Sequence, residues 1–198
     1  PARYRLIPLD LFEGDAVYRH RAPSRDLADI NFIYKTPQEE SYRTEKNIIS
    51  SKISNVTFEK SLMVHASFLH PGKEHLHFIA AAPNAIRGIP VYGSVWIHGD
   101  HSKHALSLLF KNRYGKEVRV FVTYISFKGW RRIRFTIPNA LLSGRENLKK
   151  NIQFTGILIE SSPKTQASAF SIMMDNLILI TDSKERMYPG NEIDDSWP

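Results

Sequence analysis

Apolar residues recur at every second position in run after run of this chain, and the runs are separated by turn residues. Leu62, Val64, Ala66 and Phe68 alternate with Met63, His65, Ser67 and Leu69. Pro71-Gly72 marks a turn, after which Leu76, Phe78 and Ala80 alternate with His75, His77 and Ile79. Pro83-Asn84 and Gly88 to Pro90 read as a loop. Further runs cover Val91 to His98, Ala105 to Phe110, Val118 to Tyr124, Arg132 to Ile137, Ile152 to Glu160 and Ala169 to Thr181. A period of two is the signature of half-buried strands, and short turn-bounded spacing favours antiparallel hairpins over βαβ units. The spacing predicts about eight strands between residues 60 and 181, with Lys52 to Phe58 a ninth, packed as two sheets. The expected fold is therefore all-β, an antiparallel β-sandwich. Short helices are expected near Ser24 to Ile30, where Leu27 and Ile30 sit three apart, and near Arg145 to Lys150.

The expected organisation is an irregular segment over 1–47 that wraps or extends the sandwich, the sandwich over 48–182, and a polar tail over 183–198. The 198 residues suit one domain. The longest apolar runs, such as Leu177 to Ile180, are too short to cross a bilayer as a helix. With no cysteine, a disulfide framework, a thiol nucleophile and a thiolate metal site are all excluded.

Charge is unevenly spread. The net charge is +7, yet residues 111–150 alone hold eleven basic side chains against Glu117 and Glu146. The stretch from Thr181 to the C-terminus holds five acidic and two basic residues. A local excess of this kind implies a basic patch facing an anionic partner, or a patch neutralised by the chain's own acidic tail. Arg132 and Arg134 share one strand face, while Phe135 shares the parity of Ile133 and Ile137 and is expected inside. A partner interface is therefore expected on Lys128, Arg131, Arg132 and Arg134. Nucleic acid is a poor match, because no recognised RNA- or DNA-binding pattern accompanies the basic residues.

Chemistry finds little purchase. His98, His101 and His104 are three apart, a spacing that reaches one metal ion only from a helix or a well-formed turn. Gly99 and Asp100 argue against a helix there, and no metal or cofactor is assigned. There is no G-x-S-x-G elbow, and Ser94 and Ser126 have no marked base nearby. Between Lys60 and Glu160 the acidic residues are Glu74, Asp100, Glu117 and Glu146, a thin supply for a glycosidase cleft. No enzyme activity is expected. Asn55-Val56-Thr57 matches a glycosylation sequon, which has meaning only on a eukaryotic secretory route.

Two motifs carry a resemblance. Phe127-Lys128-Gly129-Trp130-Arg131-Arg132-Ile133 leads into Ile137-Pro138, and Asp175-Asn176-Leu177-Ile178-Leu179 closes the β region. Both resemble segments of jelly-roll domains of the carbohydrate-binding type. Gly129 suits a sharp bend, Trp130 caps the edge of the core, and Asp175 and Asn176 suit a strand bulge. The order of Val95-Trp96-Ile97-His98-Gly99, Asn112-Arg113-Tyr114-Gly115, the Gly-Trp motif, Gly156-Ile157-Leu158-Ile159 and Asp175 to Asp182 is similar to the spirochaetal FlaA family, the sheath (outer layer) protein of periplasmic flagellar filaments. It covers roughly Ile89 to Ser183 and leaves residues 1–60 aside. The resemblance implies a secreted, leader-processed periplasmic protein that coats a flagellin core and contributes to filament stiffness, curvature and motility. It implies as partners flagellin core subunits, other sheath subunits and flagellar coiling proteins, with no catalysis, cofactor, nucleic acid or membrane insertion. The alternative is a glycan-binding β-sandwich module, for which Tyr92, Trp96, Tyr114 and Tyr124 are the candidate platform residues.

Overall fold

The computed structural model describes residues 4–14, 18–21, 27–35, 48, 59–70, 72–143, 151–164 and 169–182. The described residues form eleven strands: β1 (Tyr4–Asp10), β2 (Tyr18–Arg21), β3 (Leu27–Lys35), β4 (Ser61–Phe68), β5 (His75–Ile86), β6 (Ile89–Asp100), β7 (Ala105–Lys111), β8 (Glu117–Tyr124), β9 (Lys128–Thr136), β10 (Ile152–Glu160) and β11 (Ala169–Asp182). A helical turn, α1 (Asn139–Leu142), seats the fully buried Leu141. A six-stranded sheet runs β3-β4-β11-β6-β9, with β1 also on β11, and a five-stranded sheet runs β2-β5-β10-β7-β8. Every pairing is antiparallel. No helix among the described residues is long and apolar enough to cross a membrane.

The alternation explains the layers. Leu62, Val64, Ala66 and Phe68 of β4 are fully buried, as are Leu76 and Phe78 of β5 and Ile172 of β11. Val118, Val120 and Val122 of β8, in the same sheet as β5, face this core across from β4 and β11. Phe110 and Phe154 meet edge to face with ring centres 5.5 Å apart. β-branched and aromatic side chains suit this pleated, half-buried geometry.

β11 organises the larger sheet. Its first half pairs with β4 and its second half with β1, so these two strands lie end to end along one of its edges. Asp175 and Asn176 sit at the handover, in a bulge where the register against β6 slips between Asp175 and Ile178. Asn176 has a φ of 47°, a left-handed conformation that asparagine tolerates better than most residues. The fully buried Asp175 accepts from the Ser61 hydroxyl at 2.6 Å and from the Asn176 N–H at 2.7 Å, tying the start of β4 to the bulge.

Residues 1–47 contribute β1, β2 and β3, one on the edge of β11 and one at an outer edge of each sheet. The Asp10 carboxylate accepts from the Phe12 N–H at 2.6 Å and from the Tyr18 hydroxyl. Burial, then the Asp10 charge, raises the pKa of that phenol. Glu13 accepts from the backbone N–H groups of Glu59 and Lys60 at 3.0 Å.

Two local expectations are corrected. Leu27 to Ile30 belongs to β3 rather than to a helix, because a bulge between Ala28 and Asn31 breaks the alternation that marks a strand. The run from His75 does not end before Pro83. β5 continues to Ile86, and the residues between Ile79 and Asn84 bulge away from β10, which spares Pro83 a ladder hydrogen bond. The expected strand at Lys52 to Phe58, the expected helix at Arg145 to Lys150, the sequon at Asn55 and the tail over 183–198 lie outside the described residues.

Candidate functional site

β9 is an edge strand, and its sequence Lys-Gly-Trp-Arg-Arg-Ile-Arg-Phe-Thr sets up two unlike faces. Gly129 has a φ of 78° and gives the entry bend. Register with β6 places Arg132 opposite Trp96, Arg134 opposite Ser94, Trp130 opposite His98 and Lys128 opposite Asp100, all outward. Ile133 and Phe135 turn to the core side opposite Val95 and Gly93. Arg131 takes their parity, with its guanidinium 4.9 Å from the centre of the Phe127 ring. Of the four expected interface residues, the structure therefore groups Lys128, Arg132 and Arg134 on one outer face and sends Arg131 to the other side of the strand.

That face is cationic and aromatic together. Arg132 donates to the Ser94 hydroxyl at 3.4 Å, and the Arg134 guanidinium lies 5.8 Å from the Tyr92 ring centre. Trp130 meets His98 edge to face at 5.5 Å. Asp100 is the one acidic residue of β6 and β9. Its carboxylate is engaged by the N–H groups of Ser102 at 2.9 Å and Ser171 at 2.7 Å. Lys128, Arg132 and Arg134 are all exposed.

The sandwich divides the basic segment. Lys111 and Arg119 lie on the outside of the five-stranded sheet, and the Arg119 guanidinium grips Glu160. Arg113 is buried, and Arg145, Lys149 and Lys150 lie outside the described residues. The candidate aromatics are divided too. Tyr92 and Trp96 are on the six-stranded sheet, Tyr114 is at the tip of the β7–β8 turn, and Tyr124 ends β8. Val122 is an extra residue against β7, so parity shifts there and Tyr124 emerges beside Phe121 instead of following Val118 and Val120 inward. Sequence alternation alone hides that shift.

The three loop histidines separate. His98 packs on Trp130, and His101 bonds through Nδ1 to the Ser126 carbonyl at 2.8 Å. His104 is only 1% exposed and lies edge-on to Phe68 and Phe170. No three histidine, aspartate or glutamate side chains among the described residues converge as metal ligands. His104 Nδ1 accepts from the Ser162 N–H at 3.1 Å, which leaves the ring proton on Nε2. Burial lowers the pKa of this imidazole, partly offset by the Asp100 charge.

A depressed histidine pKa makes stability depend on pH. Below about 6.5 the unfolded chain takes up a proton that folded His104 refuses. Its contribution is complete above that pH and is lost as pH falls toward the folded pKa, at no more than about 1.4 kcal/mol per pH unit. Urea denaturation of wild type and His104→Phe between pH 8 and pH 5 should show the slope shrinking in the variant. Equal slopes would place the titration elsewhere.

The family model for the flagellar filament outer layer protein FlaA matches residues 87–186, the span from the turn before β6 to just past β11. The chain belongs to the FlaA family. The match takes in the outward face of β9 and the Asp175-Asn176 bulge, so both are features of the segment that makes this a FlaA-family protein. No curated protein matches the chain. Among solved structures it is similar to the family 11 carbohydrate-binding module of a Clostridium thermocellum cellulosomal cellulase, at 12% identity over 88% of this chain and 94% of that one, with a TM-score of 0.51. A second structure of that module, in complex with a beta-1,3-1,4-mixed-linked tetrasaccharide, gives 12% identity over 89% and 95% with a TM-score of 0.52. At that identity the likeness establishes the β-sandwich fold and nothing further.

Proposed function

We propose that this FlaA-family chain is a structural subunit of the outer layer of a periplasmic flagellar filament, coating the flagellin core through the cationic face of β9. The single observation that carries the reading, beyond family membership, is the outward trio Lys128, Arg132 and Arg134 on an edge strand without a carboxylate of its own. Its partners are an acidic surface of the flagellin core and neighbouring sheath subunits, with flagellar coiling proteins as further contacts. A subunit repeated along a filament needs only modest individual contacts, because neighbours in the lattice supply avidity. A coat bound to one side of the filament adds stiffness and bends it, which gives curvature and hence motility. The reading needs no cofactor, nucleic acid or catalytic step. Imaging filaments from cells that make or lack the chain tests it, and the expected result is a surface layer present only in the former.

A further inference from the structure

The five-stranded sheet offers a second outward surface, on the side of the sandwich away from Arg132 and Arg134. Where β5 and β7 begin and β8 and β10 end, the register sets His75, Glu160, Ala105 and Tyr124 in one row. Ala105, the smallest member of that row, lines a groove of about 300 Å³ together with residues of the 72–74 and 161–163 loops. That volume lies at the lower end of the roughly 300–1,000 Å³ usual for small-molecule sites.

The two loops are pinned in place. The Ser161 hydroxyl accepts from the N–H of Gly72 at 2.6 Å and of Glu74 at 3.3 Å, and the Ser161 N–H donates to the Glu74 carbonyl at 2.8 Å. Gly72 has a φ of 81°, and a Cβ there would stand 2.9 Å from Pro163 Cβ, so the two loops approach as only glycine permits.

The floor and rim combine two kinds of recognition. Tyr124 is 61% exposed and Phe121 47%, with ring centres 5.1 Å apart, a pair of aromatic faces open to solvent. Beside them Arg119 forks onto both carboxylate oxygens of Glu160, Nη1 to Oε1 at 2.7 Å, while its Nε donates to the Ser107 hydroxyl at 3.0 Å. This fixes a guanidinium with N–H groups to spare next to a carboxylate whose oxygens each keep a lone pair. Adjacent sugar hydroxyls, each both donor and acceptor, match that pattern. The apolar C–H face of a pyranose matches the tyrosine ring. Lys73 and Lys103 line the groove and are exposed, and among the described residues neither ammonium enters an ion pair. The other carboxylate there, Glu74, is buried and turned to His70, accepting from its N–H at 2.9 Å.

We propose that this groove binds an acidic saccharide, with a pyranose face on Tyr124, hydroxyls on the Arg119–Glu160 pair and the carboxylate against Lys73 and Lys103. The site shares no residue with the β9 face, so it stands or fails apart from the filament reading.

The test is an array of matched acidic and neutral oligosaccharides, alongside solubilised peptidoglycan fragments, probed with the full chain and followed by isothermal titration of the strongest binders. Saturable binding of acidic members is expected, with neutral counterparts at least about tenfold weaker. Tyr124→Ala and Glu160→Gln should each weaken binding about tenfold with thermal melting unchanged. Binding on the fragment arm identifies a cell-wall glycan, and binding confined to the free oligosaccharides identifies a glycan from another source. Lys73→Ala with Lys103→Ala, both exposed positions, should erase the preference for acidic members without unfolding the chain. No saturable binding, equal binding of neutral sugars, or affinity that survives the Tyr124 and Glu160 changes overturns the assignment.

Discussion

Filaments incubated with the Arg132→Glu, Arg134→Glu double variant should leave it in the supernatant after sedimentation, while wild type pellets with them. Both guanidiniums are exposed on the outer face of β9. The change moves four charge units on a face where the one carboxylate of β6 and β9, Asp100, is already bonded to two backbone N–H groups. Like charges brought together at an interface cost several kcal/mol, and truncation of a buried charged contact about 2–5 kcal/mol. Repeated over a lattice, even the lower figure abolishes retention. Folding should survive, since surface substitutions away from the core usually change stability by less than about 0.5 kcal/mol. The control is Lys111→Glu with Lys116→Glu, which alters net charge equally from exposed positions on the opposite sheet and its turn. That control should still pellet. Wild-type retention should weaken between low and high salt, because exposed charges are screened within about 8–10 Å at physiological ionic strength. Equal pelleting of wild type and the β9 variant would refute the interface.

Gly156→Ala should have the largest effect on stability. Gly156 lies in β10, the central strand of the five-stranded sheet, at the point where its register slips against both β5 and β7. A Cβ there would stand 2.0 Å from the Phe78 carbonyl oxygen and 3.1 Å from its carbon. These are backbone atoms of a paired neighbour, so no rotamer change relieves the overlap. Separating β10 from β5 is the only escape, and it opens the sheet over the core. A cost of about 3 kcal/mol or more is expected, at the upper end for overpacking and a large share of a single domain's stability. Gly93→Ala is the instructive contrast. Its added Cβ meets the Phe135 ring at 2.2 Å and Leu179 Cδ2 at 2.8 Å, both side-chain atoms with some freedom to move. Urea midpoints with circular dichroism should rank wild type above Gly93→Ala and Gly93→Ala above Gly156→Ala. A Gly156 variant as stable as wild type would mean that β10 and β5 are spaced differently.

The alternation of Leu62, Val64, Ala66 and Phe68 reveals which side of β4 is buried, because a strand's period needs no partner to be read. The same logic separates Arg132 and Arg134 from Phe135, and it places Arg131 with Ile133 once parity is followed one residue further back. Bulges defeat it. Val122 reverses the parity of Tyr124, the break between Ala28 and Asn31 disguises β3, and the excursion before Asn84 makes one long strand resemble two elements. Each depends on the partner strand, which a local window does not contain. The charge excess over 111–150 is visible in sequence, but its division between two sheets is set by the crossing from β8 to β9. The groove under Tyr124 was beyond reach for the same reason. Its residues come from four strands and three loops, and no linear motif joins Lys73, Lys103, Arg119 and Glu160. Phe121, whose ring packs against Tyr124 beside the groove, drew no notice beside the more polar tyrosines.

The most direct measurement is the radial density of isolated filaments by cryo-electron microscopy, from cells with the chain, cells lacking it, and cells carrying the charge-reversed β9 variant. The expected result is an added outer shell in the first set that is missing from the other two, with curvature changing in step. Identical radial profiles across all three sets would contradict the account, because the chain would then contribute nothing to the filament's surface.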